Sequence, residues 1–108
     1  MAIIFLFTNC FKDGSNNNSG PSIEYTAPVT IQPNLVSAKI INNTTNHTIF
    51  DNITSGTYTI KFNSAYKYSF ESVAHKNSHS LDELNMGEKL YYVVFLSNGG
   101  FSIKNSSF

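Results

Sequence analysis

The clearest alternation of apolar and polar residues runs from Thr57 to Phe62. Tyr58, Ile60 and Phe62 share one side of an extended chain, and the Thr and Lys residues between them share the other. A repeat of two residues is typical of a strand with one buried face. Asn, Ser and Gly residues at 52–56 favour a turn just before it. We therefore predict that this turn and strand form a central part of the fold.

Further short strands are predicted ahead of this segment. Ile23–Gln32 gives two alternating pieces interrupted by Pro28, and a proline within such a run is typical of an edge strand or a bend. Leu35–Ile41 alternates again after a turn, the polar residues 42–46 predict a loop, and His47–Phe50 predicts a short strand. The buried face of the second strand is predicted to carry Val36, Ala38 and Ile40.

The middle of the chain predicts a hairpin and then a polar loop. Asn63–Ala65 is short enough for a hairpin turn, so the strand at 57–63 is expected to pair antiparallel with one at 66–73. Residues 74–80 are polar and predict a loop. Leu81–Met86 predicts either one helical turn or an irregular corner.

The last part of the chain contains its most apolar strand, Leu90–Leu96. Both of its faces are apolar, which predicts a central strand with both sides covered. Asn98-Gly99 follows, and this dipeptide is preferred in two-residue hairpin turns. Phe101 and Ile103 are expected to complete the sheet.

About seven short strands joined by turns predict an all-β fold, namely a single small antiparallel β-sandwich over residues 23–108. The 108 residues fit one domain, and β-branched and aromatic residues outweigh good helix formers. Seven basic residues, all of them lysine, balance seven acidic ones. Since nucleic-acid binding leaves a basic footprint, we expect no nucleic-acid partner.

The N-terminal part of the chain changes composition in two steps. Residues 1–9 hold an apolar run that is shorter than the roughly 20 residues needed to span a bilayer, and its length fits the apolar region of a signal peptide. Cys10 follows, and as the one cysteine of the chain it cannot form an internal disulfide. Residues 10–22 are rich in Gly, Ser and Asn, which is the composition of a flexible tether.

The segment LFTNC at 6–10 resembles the relaxed lipobox of spirochaete lipoproteins, although Phe7 and Asn9 stand where Leu and a small residue are usual. The resemblance implies that residues 1–9 are a signal remnant and that Cys10 carries the lipid. It also implies a bacterial lipoprotein held in the outer membrane or at the cell surface through that lipid. The alternative is an apolar N-terminus with an ordinary thiol at Cys10.

Two further motifs resemble those of known sandwich families. FDNITSGTYTIKF at 50–62 is similar to the F-x-x-L-x-x-G-x-Y-x-V signature of carboxypeptidase-regulatory-like, transthyretin-like and Cna-B-type domains. LNMGEKLYYVV at 84–94 is similar to the L-x-P-G-x-x-Y-x-V corner of immunoglobulin-like modules, with Tyr91 one place late. These resemblances imply an immunoglobulin-like or transthyretin-like sandwich. They imply little about function, since such folds serve unrelated roles.

Glu71, His75 and His79 are spaced four residues apart, which on a helix would place three possible zinc ligands on one face. The surrounding residues predict strand and loop instead, so the two histidines are more easily read as solvated loop residues. Asp82 and Glu83 are adjacent and diverge on any regular element. We therefore predict no catalytic residues, no metal site and no cofactor.

Four tyrosines form the candidate binding surface, namely Tyr66, Tyr68, Tyr91 and Tyr92. Tyrosine joins an apolar ring to a polar hydroxyl and is enriched at interfaces. Tyr66 and Tyr68 are expected on one face of their strand, whereas the adjacent Tyr91 and Tyr92 are expected on opposite faces of theirs. The polar loops at 42–46 and 74–80 are a second possible binding face. A structural role, in which the tyrosines cover the edge of a small core, is the competing interpretation.

We therefore expect a monomeric, non-enzymatic envelope lipoprotein that is anchored to the membrane through Cys10 and has a structural or protein-binding role. A periplasmic module that binds a small ligand or metal through His75 and His79 is the alternative hypothesis.

Overall fold

The computed structural model describes residues 22–75 and 78–108, and within them the chain is all-β. Eight strands form two four-stranded sheets, which confirms the predicted two-sheet sandwich with one strand more than expected. The strands are β1 (Glu24–Ile31), β2 (Leu35–Asn42), β3 (His47–Asp51), β4 (Gly56–Asn63), β5 (Tyr68–Ala74), β6 (Ser78–Leu84), β7 (Glu88–Phe95) and β8 (Phe101–Ser107).

The strand order is β4-β1-β7-β8 in sheet I and β3-β2-β5-β6 in sheet II. All neighbours are antiparallel except β1 and β7, which run parallel with Val29 opposite Val93 and Ile31 opposite Phe95. This one pair departs from the antiparallel pairing of the predicted sandwich. The parallel pair arises because the first strand inserts between two strands that come much later in the chain.

Pro28 lies inside one continuous strand in the interior of sheet I, so the predicted break at this residue does not occur. Its Cα is opposite Thr59 on β4, while the ladder to β7 starts only at Val29. The N–H of Gln32 donates to the Phe95 carbonyl at 3.0 Å, so by strand alternation the nitrogen of residue 28 also faces β7. Proline is tolerated here because no ladder hydrogen bond is made at that position.

The predicted hairpin between 57–63 and 66–73 is wrong, because β4 and β5 belong to different sheets. The N–H of Tyr66 donates to the Asn63 carbonyl at 3.1 Å in a turn that carries the chain across the sandwich. Phe62 and Tyr68, on either side of this turn, then meet edge to face with ring centres 5.0 Å apart. Burying both rings in one core favours a crossing over a hairpin.

Three connections are hairpins, namely β2–β3, β5–β6 and β7–β8. The predicted β7–β8 hairpin is confirmed, with Gly99 at φ 91° in a loop closed by the Leu96 N–H and the Gly100 carbonyl at 2.9 Å, although this loop is longer than the two-residue turn expected at Asn98-Gly99. The β5–β6 hairpin replaces the predicted loop at 74–80 and the predicted helical turn or corner at 81–86. The ladder to β5 holds β6 extended although its sequence, SHSLDEL, has no β-branched residue.

Aromatic rings fill the space between the sheets. Phe95 of sheet I is fully buried and contacts Phe101 at 5.3 Å and Phe50 at 6.5 Å between ring centres. The predicted alternation of β4 is confirmed, since Phe62 is buried and Tyr58 and Ile60 are partly buried against the core. The apolar residues of β4 therefore face the core, and its polar residues face the outer surface of sheet I.

Candidate binding surface

A β-bulge in β7 determines which side chains the middle of sheet I presents to solvent. Leu90 is opposite Asn105 and Tyr92 is opposite Lys104, so Tyr91 is an additional residue without a counterpart in β8. One extra residue shifts the alternation of side chains by one position. Tyr91 and Tyr92 are consequently both exposed, by 42% and 38%, instead of lying on opposite faces as expected.

Two residues of β1 accommodate this bulge. Pro28 has no N–H with which to continue the β1–β7 ladder, so that β7 is free to deviate there. The Tyr25 hydroxyl accepts a hydrogen bond from the Leu90 N–H at 2.9 Å, in place of a backbone carbonyl. Burial raises the pKa of the Tyr25 hydroxyl above its usual value, although the Leu90 hydrogen bond acts in the opposite direction. Beside the bulge, β7 is therefore joined to β1 by a side chain, because the ladder between these two strands starts only at Val93.

The two exposed rings have cationic and hydroxyl neighbours. The Lys89 Nζ lies 5.2 Å from the centre of the Tyr91 ring, a cation–π contact. The Ser106 hydroxyl donates to the Tyr91 hydroxyl at 3.3 Å, and Lys104 is opposite Tyr92 in the ladder. We call this surface the tyrosine face, and its residues are Lys89, Tyr91, Tyr92, Lys104 and Ser106. The neighbours of the tyrosines were not predicted from the sequence, although the Lys-x-Tyr spacing of a strand could have indicated Lys89.

Tyr66 and Tyr68 do not belong to the tyrosine face. Tyr68 is only 3% exposed, and its hydroxyl accepts a hydrogen bond from the Asn63 N–H at 2.9 Å. Burial raises the pKa of this hydroxyl as well. Tyr66 is half-buried, with its ring centre 6.4 Å from that of Tyr68. Of the four candidate tyrosines, the structure brings together Tyr91 and Tyr92 on an open surface and places the other pair beside the core.

The predicted polar loops lie at opposite ends of the sandwich. The Asn43 N–H donates to the Lys67 carbonyl at 2.8 Å, and this ties the 43–46 loop to the β4–β5 turn. The Ile23 N–H donates to the Ser64 hydroxyl at 2.9 Å at the same end, where the described chain begins. Strand β5 runs away from this end, so His75 lies at the other. The two loops therefore do not form one binding face.

The β5–β6 hairpin, and not a helix, brings two of the possible metal ligands together. His79 Nε2 lies 2.9 Å from Glu71 Oε2 across the two strands, while His75 is exposed just after β5. A histidine and one carboxylate are fewer than the three or four protein ligands of a zinc site. Within residues 22–75 and 78–108, no cluster of three or more His, Cys, Asp or Glu side chains could hold a metal ion.

The predicted lipidation site at Cys10, and with it residues 1–21, lies outside the described residues. No helix in the described part of the chain has the length and apolar character required to cross a membrane.

Comparisons with protein-family models, curated protein sequences and solved structures found no match to this chain. The chemistry of the tyrosine face is therefore inferred from its own residues. Apolar rings beside two lysines suit a partner that offers apolar contacts together with acidic groups.

Proposed function

We propose that this chain is a lipid-anchored lipoprotein of the bacterial cell envelope, with a non-catalytic β-sandwich of the immunoglobulin-like or transthyretin-like kind. The sandwich either has a structural role or binds a protein partner through the tyrosine face. The anchor would be a lipid on Cys10 in the outer membrane or at the cell surface, joined to the domain by residues 10–22.

The β-bulge at Leu90–Tyr92 is the observation that carries the binding role. A regular strand would turn one of the two tyrosines toward the core, where it would gain buried area. The bulge instead exposes both Tyr91 and Tyr92, which costs apolar burial that a small domain needs. Bulges that re-aim side chains are frequent next to functional sites. A contact surface is the use that best accounts for this arrangement.

The order of segments supports the anchored arrangement. Residues 11–22 span at most about 40 Å when fully extended. They lead to Ile23, whose N–H is held by the Ser64 hydroxyl at one end of the sandwich. In this proposal that end faces the membrane and the β5–β6 and β7–β8 turns point away from it. The tyrosine face lies along the side of the domain, where it is accessible to another envelope protein.

Intact mass and detergent-phase partitioning of the full chain, beside a Cys10→Ser variant, test the anchor. We expect the wild-type protein to carry a diacylglyceryl mass on Cys10 and to enter the detergent phase, and the variant to stay in the aqueous phase. An unmodified mass that includes Met1 would contradict lipidation.

Site-specific photo-crosslinking in the cells that make the protein tests the tyrosine face. A photoreactive phenylalanine analogue replaces Tyr92, and a matched control replaces Thr48, which is exposed on β3 in the other sheet. We expect a discrete crosslinked protein from position 92 alone. Excess purified wild-type protein should compete for it, whereas a Tyr91→Ser/Tyr92→Ser variant should not. Equal products from both positions would count against a binding role.

The alternative proposal is a small-ligand or metal-binding module that uses His75 and His79. The observation in its favour is the contact between His79 and Glu71 at 2.9 Å, since a carboxylate that orients an imidazole is common in metal sites. Zinc should then raise the melting temperature of the protein, and His75→Ala should abolish the rise. A melting temperature that zinc leaves unchanged would count against this alternative.

A further inference from the structure

Each of the four edge strands of the sandwich offers backbone hydrogen-bonding groups, and the four differ in how far they are blocked. Strand β3 has only five residues, and its register with β2 shifts between Ile40 and Ile41. Strand β8 is paired with β7 across the bulge. On β6, the Asp82 carboxylate accepts a hydrogen bond from the Glu83 N–H at 2.8 Å, so this backbone donor is already used within the strand.

Strand β4 has none of these features. Its eight residues pair with β1 in unbroken register from Gly56 to Asn63, without a bulge or a proline. Within residues 22–75 and 78–108, β1 is its one partner strand. Lys61 is its single charged residue. A long, regular and nearly uncharged edge strand is the kind to which another strand can be added.

The backbone groups that β4 leaves open can be identified. The Asn63 N–H donates to the Tyr68 hydroxyl at 2.9 Å, away from β1, so residues at alternate positions before it also direct their N–H and C=O groups away from β1. These residues are Thr57, Thr59 and Lys61, and all three side chains are exposed on the outer surface of sheet I.

We infer that a second copy of this chain pairs with β4, antiparallel and in register about Thr59. A two-fold axis at Thr59 lets the two copies of this residue exchange both of their backbone hydrogen bonds, as a symmetric dimer requires. Thr57 then lies opposite Lys61 of the other copy. The two copies of sheet I become one continuous eight-stranded sheet.

The self-complementary sequence of β4 indicates a second copy rather than an unrelated strand. The pairing about Thr59 sets threonine against threonine and Tyr58 against Ile60, both of which are favourable cross-strand pairs. It also sets Phe62, whose ring is buried in its own core, against Gly56, so no second side chain opposes the ring at this position. Lys61 meets an uncharged residue, so no like charges oppose each other. This inference replaces the expected monomer with a dimer, and it depends neither on the lipid nor on the tyrosine face.

Sedimentation equilibrium of the full chain in a Cys10→Ser background, which excludes a lipid and an intermolecular disulfide, measures the association. We expect a reversible monomer–dimer equilibrium. A Thr59→Pro variant should abolish it, because proline removes an outward N–H without touching the hydrogen bonds to β1. The matched control is Leu81→Pro on the β6 edge, which should fold and dimerise as the background protein does.

Charge at position 57 tests the register independently of whether the proline variant folds. Thr57→Glu should tighten the dimer and Thr57→Lys should weaken it, each changing the dissociation constant by about tenfold because the pair with Lys61 occurs twice. High salt should reduce both effects.

Three outcomes would overturn the inference. The background protein could be monomeric at its highest soluble concentration, as it would be if a segment of the same chain or another protein occupied this edge. Leu81→Pro could abolish association as completely as Thr59→Pro does. The two charges at position 57 could shift the dissociation constant in the same direction. Lipidation and crosslinking at Tyr92 are measured separately, so failure of the dimer leaves the proposed function intact.

Discussion

The hydroxyl of Tyr25 on β1 takes the place of a backbone carbonyl for Leu90 on β7. The Leu90 N–H donates to it at 2.9 Å, across 65 residues of sequence. Leu90 is fully buried, so this N–H has no access to water. Leu90 lies outside the β1–β7 ladder, which starts at Val93, and a single side chain supplies the acceptor that its buried N–H needs.

Replacing Tyr25 with phenylalanine should lower the free energy of unfolding by about 1–3 kcal/mol, because the Leu90 N–H is left buried without an acceptor. Urea denaturation measures this loss. Tyr91→Phe is the matched control, since the Tyr91 hydroxyl is exposed and makes only a 3.3 Å contact with Ser106. A loss of similar size in both variants would contradict the proposed role of the Tyr25 hydroxyl.

Stability should decline in alkaline solution through Tyr25 and Tyr68. Burial raises the pKa of both hydroxyls in the folded protein. The stabilising effect of the two protonated hydroxyls is therefore complete below the pKa of tyrosine in the unfolded chain, about 10. It is lost as the pH rises through the raised pKa values of the folded protein. Urea denaturation between roughly pH 9 and 11 checks the sign, and ultraviolet titration follows the tyrosinates. Tyr25→Phe should make the decline shallower. A free energy of unfolding that stays level through this range would contradict the prediction.

Two serines of β5 should respond to alanine in opposite directions. The Ser72 hydroxyl is buried and has no hydrogen-bond partner in the described part of the chain, so Ser72→Ala should leave stability unchanged or raise it by up to about 1 kcal/mol. The Ser69 hydroxyl accepts a hydrogen bond from the Asn43 side-chain amide, and Ser69→Ala should cost about 1 kcal/mol. Thermal denaturation of both variants compares them. The prediction is wrong if Ser72→Ala proves the more destabilising of the two.

Truncation of Phe95 should be far more damaging than truncation of Tyr58. Phe95 is fully buried in the core. Phe95→Ala should therefore lower the free energy of unfolding by about 3–5 kcal/mol, enough to leave a small domain mostly unfolded. Tyr58 is half-buried, and one side of its ring contacts Phe50 at 5.3 Å between centres. Tyr58→Ala should therefore cost less. Circular dichroism at 25 °C separates an unfolded variant from a folded one, and the ranking is wrong if Tyr58→Ala unfolds the protein while Phe95→Ala leaves it folded.

Regular alternation was sufficient to predict the sandwich and the buried faces of unbulged strands such as β4. It failed at the bulges, because one inserted residue moves every later side chain to the other face. Val36 was expected in the core beside Ala38, yet it is 59% exposed next to the register shift between Leu35 and Ser37. The same effect exposes Tyr91 and Tyr92 together.

Pairing between strands was predictable only where a turn signal specified it. Asn98-Gly99 indicated the β7–β8 hairpin correctly, because the left-handed conformation of Gly99 is a local property. The short 63–65 connection allowed either a hairpin or a crossing, and long-range burial of Phe62 against Tyr68 decided for the crossing. Strand β6 was missed because its pairing with β5 overrides a weak local preference. The candidate site was affected in the same way, since Lys104 and Ser106 come to the two tyrosines from another strand.

The insertion of β1 between β4 and β7 has a consequence for the time at which the domain can form. The first strand can pair with its parallel partner only after Val93 has been synthesised, so sheet I cannot form before that point. Long-range pairings of this kind slow folding, which for β-sandwiches takes milliseconds to seconds. The topology therefore postpones the closure of sheet I until β7 is available to β1.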